Sequence, residues 1–251
     1  MNGTQTLNRA LDILFALSEA PDTLTVSEIA EKVSIPESTT YRFLQTLEQN
    51  GIVERRGKSQ IGLGLRILDL ARRLSQQMHR ELLPLALPIM EKLTAQTQET
   101  SILFVRTGLD CVCIQNVRSQ ALLQFAVENG RVLPLTSGAS GKCILAYENE
   151  RIIHRVADTL GTETDKEALL IELEEIRKKG YSITHGEVDP DIYAIAAPIR
   201  DAHGLIVASL STCGPYFRSN PIYDQRIISL TLDAASQLSR RLGNDIDYEF
   251  R

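Results

Sequence analysis

The stretch LTVSEIAEKVSIPESTTYRFLQTLEQNGIVERR, from Leu24 to Arg56, reads as short helical patterns, a tight turn, a longer helix and the start of a β-hairpin. That order is the one by which a winged helix-turn-helix sets one helix into a DNA groove. Thr25 can cap a helix running through Val33, with Glu28 three residues later completing a capping box and Ile29 and Val33 on one face. Ser34-Ile35-Pro36 breaks it, because Pro36 suits a first helical turn and forces the residue before it out of helical geometry. The next helix, Pro36 to Gln49, is expected to bury Tyr41, Leu44 and Leu47 and to present Ser38, Thr39, Thr40 and Arg42. Short hydroxyls approach phosphates or base edges closely, and a guanidinium can grip a guanine edge or a phosphate with two hydrogen bonds. Asn50-Gly51 ends that helix. Ile52 to Arg56 then begins a strand, Gly57-Lys58 turns, and Ser59 to Gly62 returns.

The chain has 251 residues, 43% hydrophobic and 24% charged, which is ordinary globular composition with room for two modest domains. No apolar run is long enough to cross a bilayer and the N-terminus lacks a signal peptide's pattern, so a cytoplasmic protein without a membrane partner is expected. The net charge is −5. Residues 1–75 carry nine basic and nine acidic side chains, and the remainder carries 18 and 23, so the acidity lies in the C-terminal part. A neutral DNA-binding region must rely on a local basic patch and on dimerisation.

Cys111, Cys113, Cys143 and Cys213 form no CxxC pair and are expected as free, buried thiols, with Cys111 and Cys113 on one face of a strand. The four histidines are scattered, so a zinc site would need long-range assembly, and no metal or other cofactor is expected.

Residues Gly64 to about Gln77 read as a linker helix, with Leu65, Leu68, Leu70 and Leu74 interleaved with Arg66, Asp69, Arg72 and Arg73. The expected domains are 1–63, a linker over 64–78, and 79–251. In the last, a helix over Leu82 to Gln98 precedes strands at Thr100 to Arg106, Cys111 to Val117 and Leu122 to Val127. Helices follow at Gly141 to Tyr147, Glu150 to Thr159 and Lys166 to Lys179. Three more strands, at Tyr181 to Thr184, Tyr193 to Ile199 and Leu205 to Thr212, lead to a helix from Pro221 to Leu242. Antiparallel strands interleaved with helices indicate an α+β sheet domain.

The small-residue run Thr136 to Lys142 opens a helix, where backbone N–H groups and the positive dipole end together suit a carboxylate. The same residues also suit a tight strand-to-helix connection. Enzymatic readings fail on spacing: Ser140 lacks the second glycine of a nucleophile elbow, and Gly141-Lys142 is followed by Cys143 rather than the hydroxyl of a P-loop. No enzyme is expected.

Five blocks resemble the IclR family of bacterial transcriptional regulators: Leu7 to Leu14, Ile35 to Leu44, Leu63 to Leu68, Leu133 to Lys142, and Gly180-Tyr181 through Ile195-Ala196-Ala197-Pro198-Ile199 to Gly214-Pro215. The resemblance implies an N-terminal winged helix-turn-helix joined by a linker helix to a GAF-like effector-binding domain. It further implies a repressor working as a homodimer or a dimer of dimers on a pseudo-palindromic double-stranded DNA operator. The expected DNA contacts are Ser38, Thr39, Thr40 and Arg42, with Arg9, Thr25, Arg55, Arg56 and Lys58 supporting them. Carried over residue by residue, the effector cavity takes Leu122, Phe125, Leu133, Ala139, Ser140, Thr184, Ile192, Ala194, Ser211 and Cys213. Four places depart from the family's pattern: Thr184 or His185 replaces an acidic residue, Ala194 a cysteine and Cys213 a serine, and Ser-Gly-Ala-Ser-Gly differs by a residue from the commoner Ser-Gly-Ala-Gly. Fewer polar groups and a Phe suit a small carboxylate effector with an apolar or aromatic body.

Overall fold

The computed structural model describes residues 3–57, 59–71 and 82–244, and the chain divides into two compact units, Met1–His79 and Arg80–Arg251.

The first unit holds helices α1 (Gly3–Glu19), α2 (Val26–Lys32) and α3 (Glu37–Gln49) and strands β1 (Leu24–Thr25), β2 (Val53–Arg56) and β3 (Gln60–Leu63). The strands form an antiparallel sheet in the order β1-β3-β2, the hairpin of a wing. The capping box is present in full: the Thr25 hydroxyl accepts from the Glu28 N–H, and the Glu28 carboxylate accepts from the Thr25 N–H at 2.7 Å. Ser34 adopts a left-handed φ of 52°, which turns the chain between α2 and α3, and Pro36 caps α3. Ile13, Leu17, Ile29, Ile35, Leu44, Val53 and Ile61 close a core drawn from all three helices and the hairpin.

The buried face of α3 differs from the expected one. Thr40 is fully buried and its hydroxyl donates to the Pro36 carbonyl, whereas Tyr41 is half exposed. Residues four apart share a helix face. Thr40 therefore goes inward with Leu44, and Tyr41 goes outward with Gln45.

A fourth helix, α4, spans 65–71. The remainder of the expected linker, 72–78, lies outside the described residues.

The second unit is built on a six-stranded antiparallel sheet in the order β6-β5-β4-β9-β8-β7. Its strands are β4 (Thr100–Thr107), β5 (Asp110–Val117), β6 (Val132–Pro134), β7 (Ser182–His185), β8 (Ile192–Arg200) and β9 (Ile206–Pro215). Helices α5 (Leu83–Thr97) and α9 (Pro221–Arg241) cover one face, burying Met90, Leu93, Leu103, Leu210 and Leu238. Helices α6 (Gly138–Ala146), α7 (Glu150–Ala157) and α8 (Glu163–Lys179) cover the other, with Ile102, Phe104, Ile144 and Leu173. The alternation of Ile102, Leu103 and Phe104 between the two cores follows from the two-residue period of a strand.

The strand expected at Leu122 to Val127 is absent. Leu122 is fully exposed, and the partner position beside β5 is taken by β6, with Cys111 opposite Leu133 and Val112 opposite Val132. The turn at Gly130, φ 93°, brings residues 132–134 back to that edge, so the apolar residues of 122–127 find no strand to pair with.

Candidate functional site

Two surfaces follow from this architecture. On the first unit, α3 exposes Ser38, Tyr41, Arg42 and Gln45, while Thr39 is half-buried. Arg42 has no carboxylate partner among the described residues, so its guanidinium is available to a ligand. The wing arginines are already paired: Arg55 Nε donates to Glu48 at 3.1 Å with the guanidinium over the Tyr41 ring, and Arg56 meets Glu54 at 3.0 Å. Glu48 raises the pKa of Arg55, and a phosphate has to compete with that carboxylate. The Thr25 hydroxyl is spent on the cap, donating to Glu28 at 2.8 Å. That carboxyl is held below its ordinary value by the Thr25 N–H first and the hydroxyl second. Arg9 lies half-exposed on α1, and Lys58 lies outside the described residues. Gln45 and Tyr41 share the exposed side of α3, at helical spacing from Ser38 and Arg42.

On the second unit, a pocket lies between the sheet and the N-terminus of α6. Of the residues assigned to the effector cavity, Phe125, Leu133, Ala139, Ser140, Thr184, Ile192, Ala194 and Cys213 line this pocket. Leu122 does not, because its segment is not a strand. Ser211 is fully buried behind the wall, where its hydroxyl lies 2.6 Å from that of Ser140. Ile102, Phe104, Val127, Gly138, Val188 and the charged Arg131, Glu187 and Asp189 complete the lining. Arg131 was legible in principle, since it stands two residues before Leu133 on an extended segment and so on the same side. The segment 187–189 carried no such signal, because it is a loop between β7 and β8.

The pocket is narrow, about 40 Å³, and partly open to solvent. Gly138 helps make it tight. It holds φ at 71°, and a Cβ there would lie 2.8 Å from the Val188 side chain.

Polar groups gather at the rim. Arg131 donates to both oxygens of Asp189, at 3.1 and 3.4 Å. Lys142, only 4% exposed, donates to Glu172 at 2.5 Å and to Glu187 at 2.8 Å. The buried Lys142 charge is thus neutralised by two carboxylates, as burial of an ammonium requires.

All four cysteines are free and buried. Burial pushes the thiols up, Cys111 and Cys213 to about 12 and Cys113 to about 11, and Cys143 upward as well. The unfolded chain releases these protons near pH 8.5 while the folded chain keeps them. Stability is therefore full below that pH and falls as pH rises through the folded values. The midpoint of thermal unfolding should be lower at pH 10 than at pH 7, and a thiol reagent at pH 8 should leave the native protein unmodified. Fast labelling of the folded chain would contradict this.

No helix among the described residues is long and apolar enough to cross a membrane, and no His/Cys/Asp/Glu group among them could hold a metal ion.

The model of the IclR helix-turn-helix domain matches residues 6–57, and that of the bacterial transcriptional regulator IclR C-terminal domain matches residues 75–240. The HTH-type transcriptional regulator KdgR of Escherichia coli is 30% identical over 250 residues, covering 96% of this chain and 94% of KdgR. The HTH-type transcriptional repressor AllR of Salmonella typhimurium is 30% identical over 255 residues, covering 96% and 91%. Among solved structures, an IclR homologue from Microbacterium hydrocarbonoxydans complexed with 4-hydroxybenzoate aligns with a TM-score of 0.73 at 25% identity, covering 94% of this chain and 98% of that one. These matches span both units, and the chain belongs to the IclR family of bacterial transcriptional regulators.

Proposed function

We propose that this regulator is a cytoplasmic repressor that binds a pseudo-palindromic operator as a dimer or a dimer of dimers and releases it when a small organic acid with an apolar or aromatic body fills the pocket. The observation that carries the reading is the pocket itself: walls of Ile102, Phe104, Phe125 and Ile192, with Arg131 as the cation at the rim. Apolar walls with a few placed polar groups are what an amphiphilic ligand requires. AllR is named a repressor, and the Microbacterium homologue was crystallised with an aromatic acid; both agree with the reading. The working domains are 1–63 for DNA, 64–78 as the link and 79–251 for the effector. An acid controls DNA occupancy only through its differential affinity for the two forms.

Dimerisation has a surface to use. Leu7, Leu11 and Phe15 are 61%, 41% and 59% exposed at four-residue spacing along α1, a single apolar stripe. Phe15→Asp should shift the protein toward monomer in sedimentation and weaken operator binding at least tenfold, since one recognition helix cannot hold two half-sites. An unchanged dimer would remove α1 from the interface.

The direct test is to select bound fragments from genomic DNA, then titrate aliphatic and aromatic acids, 4-hydroxybenzoate among them, against the complex in a gel shift. Release by an acid and not by its amide supports the reading. A complex indifferent to every acid overturns the acid effector and leaves the DNA-binding assignment in place.

A further inference from the structure

The rim ion pairs do more than close a cavity. An organic acid that enters the pocket behind them meets a wall in which Arg131 is already paired with Asp189. Most of that wall is sheet and helix, but 187–189 belongs to a loop leading from β7, an edge strand. Side chains hold the loop through Glu187 on Lys142, Asp189 on Arg131, and Val188 packed over Gly138, and the Asp189 carbonyl also accepts from the Ile192 N–H at 3.0 Å. The Arg131–Asp189 pair is the one whose two members both line the pocket, and their side chains are 32% and 36% exposed.

We propose that Asp189 is a built-in stand-in for the effector's carboxylate, and that an entering acid takes Arg131 from Asp189 and thereby releases the one side-chain tie of the loop whose two members both line the pocket. This rests on the organic-acid reading above and adds the residue that selects for the acid. Charge supports it. The exchange leaves one carboxylate on Arg131 before and after, and returns Asp189 toward water, so neither the guanidinium nor the ligand's anion is left unpaired. A neutral analogue of the same shape cannot make the exchange, because it would enter beside an occupied Arg131. Specificity thus comes from a competing group as well as an attractive one. The internal carboxylate also sets a threshold, since that tie holds until the acid concentration overcomes a partner that is always present.

The test uses benzoate and benzamide, isosteres that differ in charge, titrated calorimetrically into the full-length wild type and the Asp189→Ala, Arg131→Ala and Arg131→Lys variants. Asp189→Ala should bind benzoate at least tenfold more tightly than the wild type, with benzamide changed little. Arg131→Ala should lose the preference for acid over amide, and Arg131→Lys should keep it, which separates loss of charge from loss of structure. The proposal fails if Asp189→Ala gains nothing for benzoate, or if no variant binds it at all. If wild type and Arg131→Ala bind benzoate equally, the exchange is overturned while the acid effector stands. If neither the wild type nor Asp189→Ala responds to benzoate or to any acid of the gel-shift panel, both fall together.

Discussion

Replacing Arg218 with Ala should lower the unfolding free energy of the second unit by about 3–5 kcal/mol, the usual cost of stranding one half of a buried ion pair. Glu99 is wholly buried, and its two carboxylate oxygens each lie 2.9 Å from the Arg218 guanidinium. Its remaining side-chain partner is the Tyr223 hydroxyl, which donates at 2.8 Å. Around this carboxylate the fold leaves little slack. A Cβ on Gly214 would lie 2.3 Å from it, and the Tyr193 ring packs edge-on against that of Tyr223, 6.2 Å between centroids. Burial first, and the bond to Glu99 second, push the Tyr223 phenol up to about 12, so it stays a donor across the physiological range. Arg218 also donates to the Leu123 carbonyl at 2.8 Å, tying down the segment that failed to become a strand. For a unit of this size the loss corresponds to a drop of roughly 6–20 °C in melting temperature. The double variant Glu99→Leu with Arg218→Met should recover much of it, because an apolar pair carries no desolvation penalty. A melting point within 2 °C of wild type for Arg218→Ala would show that water reaches Glu99.

The second large effect belongs to Arg42→Ala. A guanidinium that reads a base edge contributes about 1–3 kcal/mol of discrimination, and a dimer has two, so operator affinity should fall by about 30-fold to 10⁴-fold while binding to unrelated DNA changes far less. The exposure of Arg42 and its lack of a carboxylate partner among the described residues single it out over Arg55 and Arg56, whose pairs with Glu48 and Glu54 must first be broken. Thr40→Val is the matched control. That side chain is fully buried, so the substitution should change stability and leave base preference untouched. Equal losses on specific and unrelated DNA for Arg42→Ala would move it from base reader to phosphate contact.

Local chemistry made much of this legible beforehand. The capping box at Thr25, the break at Pro36 and the Asn50-Gly51 stop are each decided within a few residues, so the order of helices and hairpin in the first unit could be read directly. The helices and strands of the second unit came out close to their observed bounds for the same reason, since apolar periodicity is a local record of which face is covered. The failures share a cause. Leu122 to Val127 has a strand's composition, but a strand exists only where a neighbour offers an unpaired edge, and residues 132–134 reached that edge instead. Thr40 and Tyr41 both flank Leu44 in helical projection, and hydrophobicity favoured the tyrosine for the inside; packing against the first-unit core reversed that choice.

The sequence by itself determined the family, the two-part organisation, the exposed Ser38 and Arg42 of α3, and most of the apolar wall of the pocket, because these depend on residue type and short spacing. Only the tertiary structure decided the charges. Arg131 meets Asp189 across 58 positions of chain, Lys142 meets Glu187 across 45, and Arg218 meets Glu99 across 119. No periodicity encodes such pairs, since an ion pair needs only proximity after folding and any exposed carboxylate would satisfy composition equally well.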